Sequence, residues 1–213
     1  MEINYLSQRH VIFTSSRHND WILHMHLIKG KKHNFIIDTG FGSDSIEELF
    51  VEGGGDKPYI LINTHYHWDH IWGNCNRKNF PIIAHKLCNE FIDKYFDSDY
   101  KRNSQYACGN VKKQNPTLLF EKEIYFAEDK IRIIHTPGHT IDSISVFDEE
   151  EKILNVADNI GDTGNPLVPQ LDCSREIYRQ TLLLYKSLNF EKCVCAHNDI
   201  FDKNIADKIL GEL

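Results

Sequence analysis

Three histidines and an aspartate crowd into residues 64–70, whose sequence is THYHWDH. Side chains two residues apart in an extended segment point the same way, so His65 and His67 can converge on one ion. If a helix follows, Asp69 and His70 lie at its start and can face a second ion in the same cavity. Imidazole and carboxylate ligands suit zinc, iron or manganese. The spacing therefore predicts a metal site rather than a surface turn that happens to be rich in histidine.

A site with two ions needs more ligands than this segment supplies, and the rest of the chain offers them at the ends of apolar segments. Each of these residues follows a short apolar run that reads as a strand; they are His139, Asp158 and His197. Loops held by a rigid sheet are where functional residues collect. The recurrence of one candidate ligand after each strand is an argument for a shared site.

The elements that position these residues are predicted from periodicity and turn residues. Strands are expected at 21–29, 34–37, 59–63, 81–84, 123–127, 130–135, 143–147, 152–157 and 193–196, and helices at 45–51, 86–96, 173–188 and 203–212. Ser43 or Asp44 is the expected cap of the first helix. Asp148 opens a run of four acidic residues that is expected to form a solvated hairpin turn. Helices covering two sheets, with no linker or repeat, predict a single domain over residues 1–213.

Several other residues have both a functional and a structural interpretation. An irregular polar stretch is expected at 97–117, and its cations are Lys101, Arg102, Lys112 and Lys113. It either covers the metal cleft and meets an anionic substrate, or is an ordinary solvated loop. Trp68 and Trp72 are interpreted as packing around the ligands rather than as substrate contacts. Cys193 and Cys195 are interpreted as part of a buried apolar strand rather than as thiolate ligands.

Composition narrows the class of protein. The 213 residues include 24 lysines and arginines against 31 aspartates and glutamates, giving a net charge of −7. This balance argues against binding to nucleic acid or to an anionic membrane. No apolar run is long enough to span a bilayer, no leader pattern opens the chain, and the six cysteines do not form a disulfide scaffold. We expect a cytoplasmic protein with a small-molecule substrate, and the sequence predicts no oligomeric state.

The ordered motifs resemble those of the metallo-β-lactamase superfamily. They are Asp38-Thr39-Gly40, the segment 64–70, Pro137-Gly138-His139-Thr140, Asp158 and His197. The resemblance implies an α/β fold, an αββα sandwich of two mixed sheets flanked by helices, with metals at one edge of the sheets. One departure is Ala157, because the family often has glycine before this aspartate.

The resemblance also implies a ligand set for two metal ions. His65, His67 and His139 would hold the first ion, Asp69, His70 and His197 the second, and Asp158 would bridge both. Asp38 would orient a ligand histidine by accepting its other N–H. Asp69 is a ligand that could also carry a proton, so Asp38 and Asp69 are the expected catalytic residues. No substrate-binding residue is predicted.

Two ions that share a water molecule lower its pKa towards about 7, which gives a hydroxide nucleophile at neutral pH. The resemblance then implies a binuclear hydrolase of an activated acyl bond, with zinc first and iron or manganese as other candidates. The complete ligand set is most similar to stand-alone hydroxyacylglutathione hydrolase-like (glyoxalase II-like) members, which cleave thioesters, and lactonases share it. The alternative is a persulfide dioxygenase with one iron, which His65, His139 and Asp158 could hold.

Overall fold

The computed structural model describes residues 1–18, 21–75, 80–161 and 167–213. They form two compact units, Met1–Phe120 and Glu121–Leu213. The single domain expected over residues 1–213 stays a prediction. Within the described ranges, no helix combines the length and the apolar character needed to cross a membrane.

The first unit contains a seven-stranded mixed sheet whose strands follow chain order. Its strands are β1 (Glu2–Tyr5), β2 (His10–His18), β3 (Trp21–Lys29), β4 (Asn34–Ile37), β5 (Tyr59–Ile62), β6 (Ile82–His85) and β7 (Leu118–Phe120). The strands from β1 to β4 pair antiparallel, and those from β4 to β7 pair parallel. Strands β4 and β5 are buried along their whole length, as parallel strands usually are.

The helices of the first unit are α1 (Glu47–Gly53), α2 (Trp68–Ile71), which runs into a 3₁₀ turn at Trp72–Cys75, and α3 (Lys86–Asn103), which precedes a 3₁₀ turn at Ser104–Tyr106. Helix α3 ends well after residue 96, so the irregular stretch predicted at 97–117 is wrong in its first part. Cys88, Ile92 and Phe96 are its buried residues, and Tyr100 continues their four-residue spacing. One apolar stripe thus sustains a helix whose other face is polar.

The second unit contains a six-stranded sheet in the order β13-β12-β11-β10-β9-β8. Its strands are β8 (Glu123–Phe126), β9 (Ile131–His135), β10 (Ile144–Asp148), β11 (Ile153–Ala157), β12 (Lys192–Cys195) and β13 (Phe201–Asp202), and its helices are α4 (Arg175–Ser187) and α5 (Ile205–Glu212). Strands β11 and β12 are parallel and the other pairs antiparallel. Tyr178 and Leu182 of α4 and Ile209 of α5 share one apolar core with Leu154 and Cys193 of the sheet.

The other predicted elements agree with the structure to within about two residues at each end. Strands β1, β2, β7 and β13 were not predicted; β1 is exposed throughout and β13 has two residues. Helix α1 has no side-chain cap, so the caps expected from Ser43 or Asp44 are wrong. Asp148 is buried rather than solvated, because it closes the hairpin by accepting the N–H groups of Glu150 and Glu151.

Candidate metal centre

The histidine-rich segment begins where β5 ends, and a carboxylate from the neighbouring strand fixes it. Strands β4 and β5 are parallel neighbours, so Asp38 and Thr64 leave the sheet at the same edge. Asp38 is buried and has a positive φ of 61°, a conformation that aspartate adopts more readily than most residues. Its carboxylate accepts the Thr64 N–H at 2.8 Å and also the Thr64 hydroxyl. The start of the segment is therefore held from the strand beside it.

Asp38 also determines which nitrogen carries the proton in two histidines. Its Oδ2 lies 2.8 Å from His70 Nδ1, and because a carboxylate only accepts, that nitrogen carries hydrogen. The Thr64 hydroxyl donates to Asp38, so its lone pair faces His65 Nδ1 at 3.1 Å and assigns the proton there too. In the neutral rings of His65 and His70 the lone pair is therefore on Nε2, which is the form of imidazole that binds a metal.

These lone pairs face other ligand atoms of the first unit. His65 Nε2 lies 3.0 Å from His67 Nδ1, and His70 Nε2 lies 3.1 Å from Asp69 Oδ2. A nitrogen lone pair and a carboxylate oxygen at this separation repel each other unless a cation or a proton lies between them. Helix α2 starts at Trp68, so Asp69 and His70 occupy its first turn.

In the second unit, three candidate ligands meet at one carboxylate oxygen. Asp158 and His197 follow the parallel neighbours β11 and β12, and His139 follows β9. Asp158 Oδ2 lies 3.6 Å from His139 Nε2 and 3.5 Å from His197 Nε2. One oxygen is thus within reach of two imidazoles.

A buried polar network holds His139. Its backbone N–H donates to Asn159 Oδ1 at 2.9 Å, and its Nδ1 lies 3.1 Å from the carbonyl oxygen of Gln170. Because a carbonyl only accepts, Nδ1 carries the proton and Nε2 the lone pair. Asn159 donates in turn to the Thr136 carbonyl at 2.6 Å and to the Tyr185 hydroxyl at 2.8 Å. Burial raises the pKa of Tyr185 to about 12, so this phenol stays neutral.

A bulge in β11 directs Asp158. The register between β11 and β12 shifts between Asn155 and Ala157, and Ala157 has a positive φ of 47°. Asn155 Oδ1 accepts the Ala157 N–H at 3.0 Å, and the Ala157 carbonyl accepts the Ala196 N–H at 3.1 Å. A positive φ costs a residue with a Cβ about 1–2 kcal/mol, so these hydrogen bonds hold a conformation that alanine does not favour.

The donor set of both units fits a divalent metal. The candidate ligands are buried except His67, which is half-buried, and they offer only imidazole nitrogen and carboxylate oxygen. This mixture suits zinc, iron or manganese. Cys193 and Cys195 lie in the apolar core of the second unit, and burial raises the pKa of the Cys195 thiol. These thiols are therefore apolar packing groups, as the sequence interpretation expects.

Two of the remaining candidates are paired with a carboxylate, and two others are packed in the apolar interior to different degrees. Arg102 lies 3.0 Å from Asp99, and Lys113 lies 3.0 Å from Asp93. Two of the cations that sequence analysis offered to an anionic substrate thus form ion pairs with carboxylates of α3. Trp72 is fully buried, whereas the Trp68 ring is half-buried.

Three groups that orient the ligands were missed by sequence analysis. Thr64 and Asn159 are each adjacent to a predicted ligand, and that adjacency was the only available signal. Gln170 contributes its backbone carbonyl, which any residue at that position could supply, so its side chain gives no signal. The tautomers of His65 and His139 depend on these partners.

The chain resembles known proteins over most of its length. The profile described as the metallo-beta-lactamase superfamily matches residues 20–197. Similar proteins include the human acyl-coenzyme A thioesterase MBLAC2, 24% identical over 173 residues, or 70% of this chain and 60% of that protein. They also include an atrochrysone carboxyl ACP thioesterase of Emericella nidulans, 35% identical over 187 residues, or 84% of this chain and 52% of that protein. The chain therefore spans only part of the length of these relatives.

Solved structures show the same fold. A metallo-beta-lactamase from Pontibacter korlensis has a TM-score of 0.75 at 20% identity, covering 99% of this chain and 97% of its own. A second, from Hirschia baltica, has a TM-score of 0.75 at 14% identity, covering 99% of this chain and 96% of its own. The predicted fold class, with two mixed sheets and flanking helices, is confirmed.

Proposed function

The chain belongs to the metallo-β-lactamase superfamily, and on that premise we propose that it hydrolyses acyl thioesters with two bound divalent metal ions. Relatives named as thioesterases support the reaction class. The donor set supports zinc as the first candidate, with iron and manganese next. A glyoxalase II-like substrate and a cytoplasmic location stay predictions.

The observation that carries the proposal is the position of Asp158 Oδ2, 3.6 Å from His139 Nε2 and 3.5 Å from His197 Nε2. If each imidazole binds a different ion, Asp158 is the residue that would be shared by the two sites. The proposed ligands of the first ion are His65, His67 and His139, and those of the second are Asp69, His70 and His197. Binuclear hydrolases hold their ions about 3.5–4 Å apart, a separation that one carboxylate can span.

The proposed roles of the protein's own residues are positioning of the ligands and proton transfer. Divalent ions, when bound, make water a stronger nucleophile and polarise an acyl carbonyl. Asp38 is a positioning residue, because its contacts are to His70 and, through Thr64, to His65. We assign proton transfer to the Asp69 carboxylate. It accepts the proton that water loses as the C–O bond forms, and it returns that proton to the sulfur as the C–S bond breaks. The products are a carboxylic acid and a thiol.

Metal analysis and a substrate panel test the proposal. We expect the purified protein to hold close to two ions per chain and to hydrolyse thioesters. A chelator should abolish that activity, and added zinc should restore it. Cleavage of lactones without cleavage of thioesters would overturn the proposed substrate. A single iron per chain, with oxygen consumed in the presence of a persulfide, would replace the hydrolase by the dioxygenase.

A pair of matched variants tests the bridging role. Asp158→Asn keeps the size of the side chain but weakens it as a ligand, so metal content and thioester hydrolysis should both fall sharply. Asp148→Asn makes the same change at another buried aspartate of the second unit, one whose carboxylate closes a hairpin. The control should keep its metal and its activity. Full activity in Asp158→Asn would mean that the proposed ligand set is wrong.

A further inference from the structure

Four aromatic rings of the first unit form one connected group around Trp68. Its ring lies 5.5 Å from Trp21, 5.7 Å from Phe41 and 5.5 Å from Tyr106, measured between centroids, and it stacks on Tyr106 at 20°. The four rings come from the start of β3, the loop after β4, helix α2 and the 3₁₀ turn after α3. We call the three partly exposed rings, Trp21, Trp68 and Tyr106, the aromatic surface; Phe41 is buried and packs against Trp21 and Trp68.

The aromatic surface differs from the apolar core beneath it. Trp72, whose ring lies 4.9 Å from Trp68, is fully buried and packs with Ile92 and Phe96 in that core. The rings of the aromatic surface, Trp21, Trp68 and Tyr106, are instead half-buried. Three connected aromatic side chains from separate segments thus keep part of their surface exposed.

The position of this surface limits what it can contact. Trp68 lies in the chain between the proposed ligands His67 and Asp69, so its Cα is about 4 Å from theirs. A substituent of a carbonyl held at those ligands is long enough to reach the ring. A thioester carbonyl has two substituents, an acyl group on one side and a thiol carrier on the other. Apolar ring faces favour the acyl group.

We propose that the aromatic surface binds the acyl chain of the thioester and makes the enzyme selective for medium-length or longer apolar acyl groups. This inference rests on the proposed function, because it assumes that a thioester carbonyl lies at the ligands. Burying one methylene group completely strengthens binding roughly fourfold. A chain lying against an open aromatic surface is covered on about half of its area, so each methylene should contribute about twofold.

The test compares acetyl and octanoyl thioesters of N-acetylcysteamine, a small neutral thiol, with the metal-loaded protein. The wild-type kcat/KM should be at least about tenfold higher for the octanoyl ester, given about twofold per covered methylene. Trp68→Ala and Tyr106→Ala should each lower the octanoyl-to-acetyl ratio at least about fivefold. Trp68→Phe, which keeps a ring, should restore most of the ratio. Tyr125→Ala, in β8 of the second unit, is the control and should leave the ratio unchanged.

The octanoyl-to-acetyl ratio of kcat/KM distinguishes loss of acyl-chain binding from a general disturbance of the metal site. A variant that merely disturbs Asp69 lowers the rate on both esters and leaves the ratio constant, and that result in both alanine variants would overturn the inference. Equal kcat/KM of the wild type for both esters would also overturn it and would leave the proposed thioester hydrolysis standing. Absence of hydrolysis on either ester after metal loading would overturn the proposed function, and the inference with it.

Discussion

Replacing Asp38 by asparagine should move the proton of His70 from Nδ1 to Nε2 and so remove the lone pair proposed to bind a metal. The two oxygens of Asp38 accept hydrogen bonds from His70 Nδ1 and from the N–H and hydroxyl of Thr64. Asparagine offers one acceptor oxygen and one NH₂ group. In either orientation of the amide, one buried N–H must face another. The imidazole can relieve this conflict by moving its proton to Nε2.

The size of the effect follows from the bonds that change. A hydrogen bond to a charged group contributes about 1.5–3 kcal/mol and a neutral one about 0.5–1.5 kcal/mol, so weakening two of them costs about 2 kcal/mol of unfolding free energy without metal. Loss of an orienting partner weakens metal binding about 10–100-fold, which is about 1.4–2.7 kcal/mol. When metal saturates the wild type, the variant should therefore be less stable by about 3–5 kcal/mol.

Two measurements separate the tautomer from general destabilisation. Long-range ¹H–¹⁵N NMR of the metal-free protein reports which ring nitrogen of His70 carries hydrogen. Competition with a chromogenic chelator gives the affinity for each ion. Asp148→Asn is the control, because it also replaces a buried carboxylate that accepts backbone N–H groups. The control should lose stability and keep its metal affinity.

Either of two results would refute this reasoning. His70 could keep its proton on Nδ1 in Asp38→Asn, which would mean that the amide conflict is relieved elsewhere. Alternatively, metal affinity could stay within about threefold of the wild type, far from the loss expected for an orienting partner. A loss of affinity in Asp148→Asn of the same size would show that stability alone controls metal binding.

Three further variants test other parts of the structure. Ala157→Gly should stabilise the metal-free protein by about 0.5–1 kcal/mol in urea unfolding, since relief of the positive φ exceeds the added entropy of the unfolded chain; a loss of stability would contradict this. Thr64→Val removes the hydroxyl between Asp38 and His65, so the first ion should bind about tenfold more weakly, and unchanged chelator competition would count against the assigned tautomer. Burial lowers the pKa of His135 below 6.5, so the unfolded chain takes up the proton first as pH falls. Wild-type stability should therefore decline below about pH 6.5 relative to His135→Gln, and parallel unfolding midpoints from pH 5 to 8 would exclude this effect.

The sequence located the loops that carry the proposed ligands well, because strands β5, β9, β11 and β12 are short apolar runs with clear ends. Each such run specifies a buried strand, and the polar residue after it must leave the sheet. The edge strands β1 and β13 were not predicted, since an exposed strand or a two-residue strand has no burial pattern in the sequence. The predicted end of helix α3, at residue 96, was too early. The acidic and basic residues after Phe96 obscure an apolar spacing that continues at Tyr100.

The orientation of the ligands could not be predicted in the same way. The proton position on His65 depends on a hydroxyl one residue away and on a carboxylate 27 residues earlier in the chain, at Asp38. That on His139 depends on a backbone carbonyl, at Gln170, in a loop without a pattern. Such contacts arise from tertiary structure, so periodicity and spacing carry no record of them. The half-buried state of Trp68, which sequence analysis interpreted as packing, is likewise a property of the folded surface.

Both units place a carboxylate at the end of a parallel strand pair. Each places a carboxylate at the end of one strand of a parallel pair, beside the end of its neighbour: Asp38 across β4 and β5, and Asp158 across β11 and β12. In each, the turn out of the sheet uses a positive φ, 61° at Asp38 and 47° at Ala157. This turn takes the chain off its extended path, so the carboxylate points across the sheet edge towards the neighbouring strand. A positive φ at the carboxylate residue or at the residue before it thus lets Asp38 orient imidazoles and lets Asp158 offer an oxygen to two of them. Hydrogen bonds rather than residue preference hold the second turn, which is why alanine can occupy a position where glycine would be expected.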